Sequence, residues 1–99
     1  MSRPPRITDA VYLGGLKLRL TFSDGLVREL DFADRLSGGV LAALNDPAVF
    51  SLVTVDPVAG TVAWPNGIDL DPDVLHGDQA PAVGAPPVVL AEYQLRATG

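Results

Sequence analysis

Asp69, Asp71 and Asp73 alternate along the chain, with Asn66 shortly before them and His76 shortly after. Alternate side chains of an extended backbone project to one side, so the three carboxylates would face a common point. Hard cations such as Ca²⁺ and Mg²⁺ take several oxygen ligands, and the Asn66 amide carbonyl would add one. The segment lacks the glycine position and late Glu of a calcium loop. The same residues also read as turn and cap chemistry. Asn66-Gly67 is a turn dipeptide, and Asp71-Pro72 is an N-cap followed by proline at the first helical position. Asp73 suits the positive end of that helix, and His76, the single histidine, suits its C-terminus. Turn and cap is the primary reading. A cation or small-ligand site built on Asn66, Asp69, Asp71, Asp73 and His76 is the alternative, with the metal unknown.

Trp64, the single tryptophan, opens this run. A lone tryptophan packs into a core or its rim; exposed beside Pro65, it would anchor a partner. No catalytic residue is assigned. The hydroxyls of Ser2, Ser23, Ser37 and Ser51 lie outside any G-x-S-x-G elbow, and phosphate-loop, dinucleotide, zinc and aromatic RNA-binding motifs are absent from the sequence. The expectation is a non-enzyme with no cofactor.

The elements that position these residues follow from apolar spacing. Ile7 to Leu13 and Leu16 to Phe22 read as strands joined by Gly14-Gly15, a dipeptide that tolerates positive φ in a two-residue hairpin loop. That loop pairs Leu13 with Leu16, Val11 with Leu18 and Ile7 with Phe22. The next turn is decided by register. A three-residue loop Ser23-Asp24-Gly25, with Gly25 left-handed, pairs Phe22 with Leu26, Leu18 with Leu30, Arg19 with Glu29 and Lys17 with Asp31. A two-residue loop would mix charged and apolar side chains on both faces. Asp9, Leu20 and Arg28 then share one row, and Asp9 with Arg28 forms either a wet sheet margin or a polar notch in an apolar face.

From Asp34 to Phe50 the period turns helical, with Val40, Leu41 and Leu44 as the apolar stripe and Gly38-Gly39 as its entry. Asp46-Pro47 caps a further turn that carries Phe50 inward. Leu52 to Val55 and Thr61 to Trp64 form a second hairpin. Residues 78–99 are a Pro/Ala-rich tail, within which Val88 to Leu95 would form an edge strand or a helix on docking, or stay disordered. Residues 1–77 are read as a single α+β domain. Its parts are a three-stranded antiparallel meander, a short helical segment, a second β-hairpin, and a closing turn with a short helix.

The composition narrows the classes. The chain has 99 residues, 47% hydrophobic, with 7 basic against 12 acidic side chains and a net charge of −5, which fits one globular core. An acidic surface repels phosphate backbones, so nucleic acid and membrane are not expected partners. The sequence has no cysteine, and its first residues show no apolar leader; the expected setting is cytoplasmic.

Phe22-Ser23-Asp24-Gly25 before a strand, Leu44-Asn45-Asp46-Pro47 with Phe50, and Trp64 through Asp73 with Leu75 resemble domain of unknown function family 2442. The likeness runs from about Arg6 to Gly77, and the Trp-to-Asp run is its specific part. The resemblance implies a small bacterial α+β domain with no established activity. It also implies relatives of which some resemble antitoxin-like partners encoded beside another small protein and some continue into a helix-turn-helix domain. Past Gly77 this sequence instead runs into its Pro/Ala-rich stretch, with no basic recognition helix, and the family transfers no catalytic residue. The functional expectation is a protein-interaction module that binds a partner protein or itself through a sheet edge or Trp64. The alternatives are the cation or small-ligand site above and an antitoxin-like partner of a small basic protein.

Overall fold

The computed structural model describes residues 5–36, 39–78, 81 and 85–95. Its strands are β1 (Ile7–Tyr12), β2 (Lys17–Phe22), β3 (Leu26–Asp31), β4 (Thr54–Asp56), β5 (Thr61–Ala63) and β6 (Val88–Gln94), and its α-helices are α1 (Pro47–Phe50) and α2 (Pro72–His76). The first three strands form an antiparallel meander, β6 joins beside β3, and β4–β5 form a separate two-stranded sheet. The fold is α+β. Val88–Gln94 thus takes the edge-strand alternative.

β2 and β3 pair in the expected register, Lys17 with Asp31, Leu18 with Leu30 and Arg19 with Glu29. The turn chemistry enforces it: Gly25 has φ +88°, and Asp24 Oδ1 accepts the Leu26 N–H at 3.0 Å. The β1–β2 pairing departs from expectation. Ile7 faces Phe22, but a bulge follows, and Asp9 faces Thr21, Ala10 faces Leu20 and Tyr12 faces Leu18. The bulge inserts one residue and slides the rest of the strand by one position. Ala10 and Tyr12 then pack on the core while Val11 is exposed. The Gly14-Gly15 loop lengthens accordingly, with the Leu13 N–H donating to Lys17 O.

The helical segment is a 3₁₀ stretch, Gly39–Asn45, followed by α1. Leu44 is buried and Leu41 partly so, while Gly38 and the Val40 side chain lie outside the described residues. Asp46 caps α1 by accepting the Ala48 N–H, with Pro47 in the first turn. This cap delivers Phe50, fully buried, to the centre of the core. There its ring lies 5.6 Å from both Phe32 and Trp64 and 6.2 Å from Tyr12, centroid to centroid.

The second hairpin packs beside the main sheet. The Ile7 N–H donates to Gly60 O, and the Arg6 guanidinium donates to the carbonyls of Pro57 and Val58. These bonds tie the start of β1 to the β4–β5 turn. Among the described residues, no helix is long and apolar enough to cross a membrane.

Candidate functional site

The run from Trp64 to Asp73 folds back along β5. Trp64 N–H donates to Ile68 O and Gly67 N–H to Trp64 O, closing a turn in which Asn66 Oδ1 accepts the Ile68 N–H. Asp69 then bridges Ala63 through the backbone, and the buried Thr61 hydroxyl donates to Leu70 O. Trp64 is only 3% exposed, and its indole N–H donates to Phe50 O at 2.9 Å. An exposed Trp64 anchor is therefore corrected: packing against Phe50 and the satisfied indole make it core.

The alternating carboxylates do not converge. Asp71 turns into the helix as its N-cap, Oδ1 accepting the Asp73 N–H at 2.9 Å, while the exposed Asp69 belongs to the preceding extended stretch. A helix start breaks the two-residue period that a shared cation would need. Among the described residues, no group of three His, Asp or Glu side chains is placed to hold a metal ion.

His76 is drawn elsewhere. Its Nε2 lies 2.7 Å from Asp24 Oδ2, across 52 positions of sequence; an ionised carboxylate can only accept, so Nε2–H donates. Nδ1 sits 2.8 Å from Asp78 Oδ2 at charge-contact distance, without hydrogen-bond alignment. The ring meets Phe22 edge-on, centroids 4.8 Å apart. Burial alone would raise the Asp24 carboxyl, but the Leu26 amide and His76 outweigh it and hold it below the ordinary Asp value. With carboxylates at both nitrogens, the imidazole fastens the end of α2 to the β2–β3 turn.

Arg28 completes this corner. The Asp9–Arg28 notch does not form, because the bulge puts Ala10 rather than Asp9 in the row of Leu20 and Arg28. The guanidinium instead donates to Leu75 O at 2.8 Å, and its Nε lies 3.0 Å from Glu92 Oε1 of β6, close but out of hydrogen-bond line. Gly77 has φ +99°, and a Cβ added there would lie 2.9 Å from the Arg28 guanidinium. Arg28 thereby joins β3, α2 and β6, and it forms one wall of a groove of about 400 Å³ flanked by Val74, Pro87 and Val89. Asp24 and Glu92 were missed as site residues. The available signal was a charged residue, Arg28, on an otherwise apolar strand face.

The remaining feature is the β6 edge. Val88, Val89, Leu90, Tyr93 and Leu95 are each 43–51% exposed, and no strand among the described residues pairs with the outer side of β6. The Leu95 N–H donates to Gly25 O, and Gln94, Tyr93 and Glu92 continue the ladder against Leu26, Val27 and Arg28. Antiparallel pairs alternate between bonded and unbonded, so the N–H and C=O groups of Glu92 and Gln94 point outward.

No curated protein and no solved structure matches the chain. One protein-family profile does, over residues 7–78, a span that ends before β6. It covers the meander, both helices and the turn that places Trp64, Asp71 and His76. The chain belongs to the family described as protein of unknown function (DUF2442).

Proposed function

We propose that this domain is a non-enzymatic protein-interaction module that engages its partner along the β6 edge. The observation that carries the reading is that edge. A strand with unpaired outward N–H and C=O groups is a template for another strand, and exposed apolar side chains on both faces supply area to bury. Natural edges are commonly blunted by lysine or an inward charge; the only charged residue of β6, Glu92, sits beside Arg28. The net charge of −5 favours a basic protein elsewhere on the surface, as an antitoxin-like role would use, since complementary charge speeds encounter. A cytoplasmic setting goes with this proposal and suits the cysteine-free sequence.

A capture experiment with the native chain and Tyr93→Lys tests it. The expected result is a stoichiometric partner, a second copy included, held by the native chain and lost with the variant. Equal capture by both, or capture of nothing by a strictly monomeric chain, refutes it.

A further inference from the structure

We infer that the partner at the β6 edge is a second copy of this chain, paired antiparallel about a two-fold axis at Tyr93. The inference rests on the edge-docking reading and adds the occupant and its register. Charge selects the occupant. Residues 86–95 carry one charged side chain, Glu92, and Arg28 lies 3.0 Å from it. The strip therefore offers a basic partner no net field, and it sets little charge against a second acidic copy.

Backbone parity restricts the register. Only outward-facing residues can bond across the new edge, so Glu92 and Gln94 must meet each other or themselves. An axis at Glu92 sets two carboxylates face to face, which is unfavourable. An axis at Ala91 drives the ladder into the bulge at Leu90, which is the unpaired residue between Ala91 and Val89. An axis at Gln94 sets Glu92 opposite position 96, past the end of β6, and shortens the ladder; an axis at Tyr93 avoids all three. Glu92 then bonds Gln94 of the partner subunit, a carboxylate beside an amide, and Ala91 lies opposite Leu95 of the partner subunit. The two Tyr93 rings meet in a closely spaced, non-bonded pair, where cross-strand contact is tightest. The two four-stranded sheets merge into one continuous sheet. Its outer face then carries a run of Val27, Tyr93, and the partner's Tyr93 and Val27; Val27 is already 2% exposed beside Tyr93 within one copy.

An isologous contact places each axial residue against itself, and the chain has no cysteine, so one introduced thiol reads the register. At a non-bonded antiparallel pair, Cα atoms are about 4.5 Å apart, within the span of a disulfide. Under mild oxidation, Tyr93→Cys should form a covalent dimer at least about tenfold faster than Val58→Cys at a remote turn residue that is 88% exposed. Glu92→Cys should match the remote control. In sedimentation from about 5 to 500 µM, a range chosen for a small, transient interface, the native mass should rise from 10.4 kDa toward twice that. Tyr93→Lys should weaken dimerisation at least tenfold, and Tyr93→Phe should retain it. Gln94→Pro, which removes an outward donor and the side-chain bond to Asp24 O but no β3–β6 ladder bond, serves as a second edge block, with circular dichroism checking its fold.

A monomer throughout, equal oxidation of the three cysteine variants, or a dimer indifferent to both edge blocks overturns the inference. If the native chain is monomeric yet captures another protein that Tyr93→Lys does not, the edge-docking reading stands and the second copy falls. If neither association occurs, both fall.

Discussion

Replacing Gly77 by alanine tests the corner that joins α2, β3 and β6, and its cost has two separable parts. At φ +99° an L side chain is strained, which costs about 1–2 kcal/mol. The added Cβ would also lie 2.9 Å from Arg28 Nη1, so the guanidinium must shift. That same nitrogen donates to Leu75 O, and loss of a hydrogen bond to a charged group costs about 1.5–3 kcal/mol. With partial relaxation, Gly77→Ala should destabilise by about 2–4 kcal/mol. At 4–8 °C per kcal/mol for a chain of this size, that is a fall in Tm of roughly 8–32 °C. The assay is urea unfolding of a double-mutant cycle with Arg28→Met, which removes the clashing group and its bond together. In the Arg28→Met background, Gly77→Ala should cost only the backbone strain, leaving a coupling of about 1–2 kcal/mol. If the two changes add to within about 0.5 kcal/mol, the guanidinium is not seated on Gly77 and this account of the corner is wrong.

Three further outcomes follow from the same geometry. Asp71→Ala should cost about 1 kcal/mol through loss of the α2 cap, while Asp69→Ala at an exposed position should stay within about 0.5 kcal/mol; equal losses in urea unfolding would contradict separate roles. Trp64→Phe should cost about 1–3 kcal/mol from the lost indole bond and residual void. The native Trp64 should resist acrylamide quenching, and ready quenching would place it at the surface. Asp24 has a folded pKa below its unfolded value, so the unfolded chain binds more protons as acid is added. Its contribution should be complete above the ordinary Asp value of about 3.9 and vanish as pH falls through the lower folded value. Asp24→Asn should flatten the acid limb of a stability–pH curve, and an unchanged limb would sink the assignment.

What was legible in the sequence was local. Asp46-Pro47 and Asp71-Pro72 cap helices because the Asp side chain reaches an amide two residues on, a geometry written into neighbouring positions. The β2–β3 register was readable because two charge pairs and the Gly25 turn agree on it. The β1–β2 register was not, since a bulge after Ile7 leaves no fixed residue signature and one inserted residue exchanges Val11 for Tyr12 at the core. Distant pairings were equally hidden. Nothing near His76 names Asp24 as its partner, and nothing near Arg28 names Glu92. The alternation of Asp69, Asp71 and Asp73 misled for a related reason: periodicity shows direction only while the backbone stays extended, and Asp71 is where it stops.

β6 has a consequence for how the molecule opens. None of its residues is in the fully buried set, so its release should require less free energy than unfolding β2, where Leu18, Leu20 and Phe22 are sealed. The β6 amides should therefore exchange with solvent water through local opening, and those of β2 only through global unfolding. Each such opening bares the side of β3 against which Glu92 and Tyr93 had lain. Aggregation that starts from that bared edge should then depend on how often one peripheral strand lifts off.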